Sequence, residues 1–594
     1  MDYSAWASLP AVFFEQAAQL ADRNFLWTKQ DSAYRPTTWR TAGQSVADLA
    51  RGLRALGLEP GQRVVLVAEN RPEWLIADVA IMTAGGITVP AYTTNTVSDH
   101  LHVLRDSGAA GVIVSTKELA GRLLPAAIEA PDCKWAITME DAGVGQSATV
   151  ALHAWTDVLA RGAEAGGEIA PMVERIGRGD TACFIYTSGT GGTPKGVMLS
   201  HGAILCNCMG AYGLLKELGL DHEVFLSFLP LSHAYEHTAG QFFPITIGAE
   251  IYYCTGVDQL LTNLAEARPT IMTAVPRLYE NMYQRSLRGV EKKGGLSERL
   301  FHVALRLGRK RYHDPRSLSL LERLQDLVVE RLVRDKTRAR FGGRLKAMVS
   351  GGAALNPDIG IFFTALGLPV LQGYGQTEAA PVVSANPPGR VKMETVGPPL
   401  EGVEVKIASD GEILVRGELL MQGYWRNEDA TAETLRDGWL HTGDIGEFDA
   451  DGYLKITDRK KDILVLTGGD NVSPARIEGF LTLQPEIYQA MVYGDKRPHL
   501  VALIVPEEAF VNEFAKGRQL ACDWAALARN PDFRAAIGQA IDKVNKELSN
   551  LEKIRRFAIA PEPFTVENEM MTPTLKIRRH RIISKYIGKF QELY

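Results

Sequence analysis

From residue 63 onward, short apolar runs of strand length alternate with helix-length amphipathic stretches, and that rhythm constrains the chain to parallel α/β layers. RVVLVA (63–68) reads as a strand, PEWLIADVAIMTAGG (72–86) as a helix, and ITVPAY (87–92) and GVIVST (111–116) as further strands. Pro72 suits the opening turn of that helix, where a missing N–H leaves no intrahelical bond unmade. The same rhythm returns at CFIYTSG (183–189), EVFLSFLPL (223–231), EIYYC (250–254), TIMTAVP (270–276), LKAMVSGG (345–352) and PVLQGYG (369–375). Between 403 and 456 the pattern shifts to VEVKI, EILVR and GYLKIT, short strands between turns, which predicts a small β-rich subdomain. The charged knot Asp458-Arg459-Lys460-Lys461-Asp462 interrupts it, and 462–594 reads as a separate small α+β domain.

A chain of 594 residues is too long for one core, so several domains are expected. The net charge of −5 argues against a nucleic-acid binder. Six scattered cysteines with no CxxC pair suit reduced thiols and a cytoplasmic location. The opening MDYSAWASLPAVF lacks a basic segment followed by an apolar run, so no signal peptide is expected, and no run of 18 apolar residues predicts a membrane span. One segment departs from the acidic balance: the helical insert 284–344 holds 17 Lys+Arg against 7 Asp+Glu. It reads either as a solvated helical face or as a surface for peripheral contact with anionic membranes, with Leu300, Phe301, Leu305 and Leu307 as its apolar stripe. A homodimer contact through the insert is left open.

The segment YTSGTGGTPKGVMLSH (186–201) reads as a strand, a loop of small and hydroxyl residues, a lysine and then a helix. Small residues let backbone N–H groups close around phosphate oxygens, and Thr187, Ser188, Gly189, Thr190 and Thr193 add donors, with Lys195 supplying positive charge. Lys195 follows Pro194 and precedes Gly196, so this is not a Walker A loop. Taken alone, a flexible Gly-rich turn is an equal reading.

The segment resembles the phosphate-binding loop of the adenylate-forming superfamily, which includes acyl-CoA synthetases, peptide-synthetase adenylation domains and beetle luciferases. Gly191 stands where the family loop usually has Thr. GYGQTE (373–378) resembles the adenine and magnesium motif: the resemblance implies that Tyr374 packs on adenine, with Gly373 and Gly375 also in the nucleotide site, Thr377 bonds the α-phosphate and Glu378 helps hold Mg²⁺. SGGAAL (350–355), with Gly351, Gly352 and Ala353, resembles the strand end that closes around the base. By the same resemblance, DGWLHTGDIG (437–446) would place Asp444 on the ribose hydroxyls, with Arg459 as a second ribose and phosphate contact. Lys461 falls at the family's hinge position, TPTLKIRR (572–579) resembles the motif that carries the catalytic lysine, here Lys576, and by the same resemblance the Gly468-Gly469 loop would line the coenzyme A passage. LPLSHAYEH (229–237) and TAVPRLYENMY (273–283) resemble the long-chain fatty acyl-CoA group, with His233 near the nascent adenylate.

The implied fold is α/β: a large N-terminal domain (1–458) of two layered α/β sheets with the β-rich subdomain at about 398–458, a hinge at 459–461, and a small mobile α+β C-terminal domain (462–594). The implied reaction is ATP- and Mg²⁺-dependent conversion of a long-chain fatty acid to acyl-AMP, then transfer to coenzyme A. A fatty acyl-AMP ligase that loads a carrier protein, and a ligase for aryl or other acids, share these motifs. A non-catalytic nucleotide-binding protein would not require Lys195, Glu378, Asp444, Arg459 and Lys576 together.

Overall fold

The computed structural model describes the whole chain except Met1, Val144, 188–192, Gly469, Asp523 and 573–575. The fold is mixed α/β, with a large N-terminal part built on two sheets and a smaller C-terminal part. Among the described residues each large sheet has eight strands. In the first, the parallel strands Arg63–Val67, Ile87–Pro90, Gly111–Val114 and Trp135–Thr138 neighbour the antiparallel pair Thr181–Thr187 and Lys195–Ser200. In the second, Val224–Ser227, Ile271–Ala274, Ala347–Ser350 and Val370–Gly375 run parallel in that order.

The helix Pro72–Thr83 shows why the two sheets stay together. Pro72 opens it and Gly85, at φ +80°, follows its end in a backbone region that favours glycine. It is apolar on nearly every side, and Trp74, Leu75 and Val79 are fully buried. A helix with that pattern must be covered all round. It packs on strands of both sheets, in one core that joins Leu66 and Ile185 of the first to Phe225 and Ile251 of the second. Each fully buried side chain of this size contributes about 1.5–3 kcal/mol from water exclusion.

A five-stranded antiparallel sheet, including Glu404–Ile407, Glu412–Arg416, Trp439–Phe448 and Leu454–Arg459, lies between these sheets and the C-terminal part in the chain. Beyond it, Ile487–Tyr493, Leu500–Pro506 and Ile554–Ile559 form a three-stranded sheet with its own apolar core around Ile504, Phe533 and Ile541.

Two local expectations are corrected. Lys195 does not lead into a helix: Lys195–Ser200 is a strand paired antiparallel with Thr181–Thr187, and the helix begins only at His201. Gly-Val-Met-Leu fills a buried ladder position instead. The stripe assigned to the insert also turns inward. Phe301 and Leu307 are buried, and Leu300 and Leu305 pack against the cores. Among the described residues, no helix is long and apolar enough to cross a membrane.

Candidate active site

Parallel strands of the second sheet end on one edge, and the loops leaving their C-terminal ends carry several of the groups singled out above. Such an edge is where open α/β sheets present ligand-binding loops. His233 lies in the loop after Val224–Ser227, Gly351 and Gly352 follow Ala347–Ser350, and Thr377 and Glu378 follow Val370–Gly375.

These loops are tied to one another. Tyr235 donates its phenolic hydrogen to the carbonyl of Val349 at 2.9 Å. Its ring lies so close to Gly351 that a Cβ there would meet ring carbons at 2.9 Å. Gly352 has φ +83° and Ala353 is exposed beyond it. His233 Nδ1 accepts the backbone N–H of Tyr235 at 3.2 Å, which leaves the neutral ring's proton on Nε2. Burial, and then the charge of Lys576, push the pKa of His233 down to about 3, so the ring stays neutral. Gly373 and Gly375 pair with the strand Val382–Ala385, and a Cβ on Gly375 would meet the Pro381 carbonyl oxygen at 1.8 Å.

A second group forms around Asp444, which is buried. Tyr374 Oη donates to Asp444 Oδ2 at 2.6 Å and Arg459 Nε donates to Oδ1 at 2.9 Å. Burial and the neighbouring carboxylate hold the Tyr374 phenol well above its ordinary pKa, so it remains a donor. Glu412 braces this strand from below by accepting the Gly443 N–H at 2.9 Å, while Lys460 donates to Glu412 at 3.3 Å.

Glu378 Oε1 accepts from Tyr424 Oη at 2.8 Å, and Lys195 Nζ sits 4.9 Å from the centre of the Tyr424 ring. Tyr424 therefore links the lysine to Glu378, a connection that the motifs did not reveal. Its strand, Gly423–Tyr424, pairs with Lys195–Ser200. Thr187 and Lys195 are register partners flanking the loop, and Thr193 is exposed. Ser188, Gly189, Thr190 and Gly191 lie outside the described residues, as does Gly469.

Lys576 comes to this group from the C-terminal part. Its backbone is held by paired hydrogen bonds with Thr572, at 3.0 and 2.8 Å, and by a bridge between Met571 and Ile577. Arg579 then clamps the following helix to Glu478, at 2.8 Å through Nη1, a buried pair. The Lys576 ammonium feels Arg459, Asp444 and Glu378, and its charge is felt by His233. Burial, then Arg459, lower its pKa to about 8 against the opposing pull of the two carboxylates. Lys461 and Gly468 are exposed, and Gly468 sits in the turn between Leu464–Val465 and Asn471–Val472. The fold thus puts the Lys576 charge within electrostatic reach of His233, Glu378, Asp444 and Arg459, and leaves Lys461 and Gly468 at the surface.

The family model described as AMP-binding enzyme matches residues 13–425, and that described as AMP-binding enzyme C-terminal domain matches 461–594. The chain belongs to the AMP-binding enzyme family. It is 34% identical over 599 residues to the long-chain-fatty-acid–CoA ligase FadD15 of Mycobacterium bovis, covering 99% of this chain and 97% of that protein. It is 32% identical to the peroxisomal long chain acyl-CoA synthetase 6 of Arabidopsis thaliana, covering 94% of this chain and 82% of that one. Among solved structures, the adenylation domain of a carboxylate reductase from Mycobacterium chelonae superposes with a TM-score of 0.78 at 22% identity, covering 99% of this chain and 91% of that domain. That likeness establishes the fold that the AMP-binding family shares.

Proposed function

We propose that this chain activates a long-chain fatty acid with ATP as its acyl-adenylate and passes the acyl group to coenzyme A, releasing AMP and pyrophosphate. The observation that carries the reading is that the buried Lys576 charge lies within electrostatic reach of Asp444, Arg459, Glu378 and His233, beside the hydrogen-bonded group of Tyr374, Asp444 and Arg459. A buried cation there can neutralise two anions that must approach each other. The full-length likeness to long-chain-fatty-acid–CoA ligases supports the acid and the acceptor.

In the first step a carboxylate oxygen attacks the α-phosphorus, and the bond to pyrophosphate breaks. Lys576 bridges the carboxylate and the α-phosphate. Thr187, Thr193, Lys195 and the loop 188–192 hold the outer phosphates, with Thr377 on the α-phosphate. Asp444 takes the ribose hydroxyls, assisted by Arg459, and Gly351, Gly352, Ala353, Gly373, Tyr374 and Gly375 line the base. His233 lies beside the acyl carbonyl as a neutral donor. Mg²⁺ keeps several waters and needs one or two carboxylates beside phosphate oxygens, so Glu378 fits its requirement. When bound, the ion would neutralise phosphate charge.

In the second step the coenzyme A sulfur attacks the mixed anhydride, the thiol proton is lost, and AMP leaves. No protein nucleophile is needed. The domains we assign are 1–458, with its helical insert at about 284–344 and β-rich subdomain at about 398–458, a hinge at 459–461, and 462–594. Rotation of the last about Lys461 would withdraw Lys576 and bring Gly468 and Gly469 to the coenzyme passage, where side chains would narrow the route. The unpaired cysteines suit a reducing, cytoplasmic setting.

The first step is tested without coenzyme A, by acid-dependent exchange of labelled pyrophosphate into ATP. The exchange is expected with long-chain acids and is expected to vanish without acid. No exchange with any long-chain, medium-chain or aryl acid would contradict the assignment.

A further inference from the structure

The helix Leu320–Val329 is built inside out. Ser319 and Glu322 fix its start as a reciprocal cap. Its carboxylates then turn inward: Glu322 pairs with Lys310 at 2.7 Å, and Asp326 with Arg311 at 3.1 Å and Arg334 at 2.7 Å. Glu330, on the next turn, pairs with Arg334 at 2.9 Å. The opposite arc carries Leu320, Leu321, Leu324, Leu327 and Val328, with Leu332 one turn on, and these six side chains are 44–80% exposed. Fifteen large apolar side chains are exposed among the described residues, and six of them fall within these thirteen positions. Scattered exposed leucines are ordinary, whereas a contiguous face of this size calls for a partner.

Charge selects the partner. Arg323 and Arg331 lie on the helix, and Arg316, Lys336 and Arg340 flank it along the chain. Among the described residues none of the five has a carboxylate within 4.0 Å, although the acids of the same helix are all paired. A second copy meeting this face would bring like charges together around the leucines. An anionic bilayer takes both parts, with acyl chains receiving the leucines and headgroups the cations.

We propose that the face Leu320–Leu332 docks the protein reversibly on anionic lipid bilayers. The apolar arc enters the headgroup boundary, and Arg331, at its edge, extends its charged end toward the phosphates. The docking surface is distinct from the residues assigned to the reaction. It also differs from the stripe that the sequence suggested, because Phe301 and Leu307 are core residues.

The test uses the full chain and vesicles of phosphatidylcholine with phosphatidylglycerol, without ATP, acid or coenzyme A. Its outcome is therefore independent of the proposed reaction. The wild type is expected to co-sediment with these vesicles at low salt, to be released as salt rises, and to bind far less to phosphatidylcholine alone. The triple variant Leu321→Gln, Leu324→Gln, Leu327→Gln is expected to lose about tenfold or more in vesicle partitioning. Because these side chains already face water, it should keep its circular dichroism and its turnover of a dissolved acid. Arg323→Gln with Arg331→Gln should reduce the salt dependence, and Leu261→Gln, at an exposed leucine elsewhere, should change nothing. Absence of wild-type binding at low salt, or unchanged binding by the triple variant, overturns the proposal. So does a wild-type dimer that the triple variant dissociates while vesicles compete with neither.

Discussion

Asp444 and Arg459 are register partners on adjacent antiparallel strands, and Arg459 Nε donates to the Asp444 carboxylate at 2.9 Å. The other carboxylate oxygen takes Tyr374 Oη at 2.6 Å. The pair is held at a strand edge by the Glu412 brace, so its geometry exists before any ligand arrives. Asp444→Ala is expected to weaken ATP and AMP alike, because ribose is common to both. Hydrogen bonds to a charged group contribute about 1.5–3 kcal/mol each, so calorimetry should read a loss of about ten- to hundredfold. Unchanged affinity in a folded variant would remove Asp444 from the ribose site.

Lys576, in its proposed role, is expected to make the first half-reaction pH-dependent. A lysine held near 8 is protonated below that pH and loses its charge as pH rises through it. The kcat/KM for adenylate formation, which reports groups of the free enzyme, should therefore fall above about 8. Lys576→Arg should move that limb out of range. Lys576→Ala should lower adenylate formation by about 10²–10³ while sparing thioester formation from supplied acyl-AMP. Equal loss of both steps would show that the lysine is structural.

Gly351 and Tyr235 make a second point of sensitivity. Gly351→Ala puts a methyl group 2.9 Å from ring carbons of Tyr235, whose hydroxyl is tied to Val349. Forcing a methylene-sized group into such packing costs about 1–3 kcal/mol. The shift would pass to His233, whose Nδ1 is set by the Tyr235 N–H. Thermal melting should drop by a few degrees, and both AMP binding and adenylate formation should fall, because Gly351 also lines the proposed base site. A variant with wild-type melting and rate would mean that the ring moves aside freely.

The orientation that brings Lys576 in is also held from the helical side. Arg277 donates to the Tyr488 carbonyl at 3.1 Å and lies 4.2 Å from the centre of its ring, and Arg288 pairs with Glu507 at 3.2 Å. Arg277→Ala is expected to slow adenylate formation by about tenfold through loss of the stacked cation and its hydrogen bond. Thioester formation from acyl-AMP should be spared. A slowing of thioester formation alone would reverse the assignment of this contact.

Much of the fold was legible because its strands are buried on both faces and so read as continuous apolar runs between Gly and Pro signals. Arg63–Val67 and Pro72–Thr83 follow directly from such patterns. Asp444, Glu378 and Lys576, the groups of the candidate site, stand out in the sequence because they lie in compact motifs. Contacts between distant segments were not. Nothing local tells that Tyr424 reaches Glu378, or that Tyr235 lies under Gly351. The insert misled for a related reason. Helical spacing reveals that Leu300 and Leu307 share a face but not that this face is covered, and a leucine-rich face such as Leu320–Leu332 looks like core until its neighbours are placed. The strand after Lys195 was missed because a short buried apolar run fits a helix as well as a strand.

The central claim is that one chain carries out both steps on a long-chain acid. The direct measurement is product stoichiometry from purified protein with a long-chain fatty acid, MgATP and coenzyme A. The account predicts AMP, pyrophosphate and acyl-coenzyme A in equal amounts, with no ADP, and no products when the acid is omitted. Acyl-AMP that accumulates without thioester when coenzyme A is present, or ATP cleavage to ADP, would contradict it.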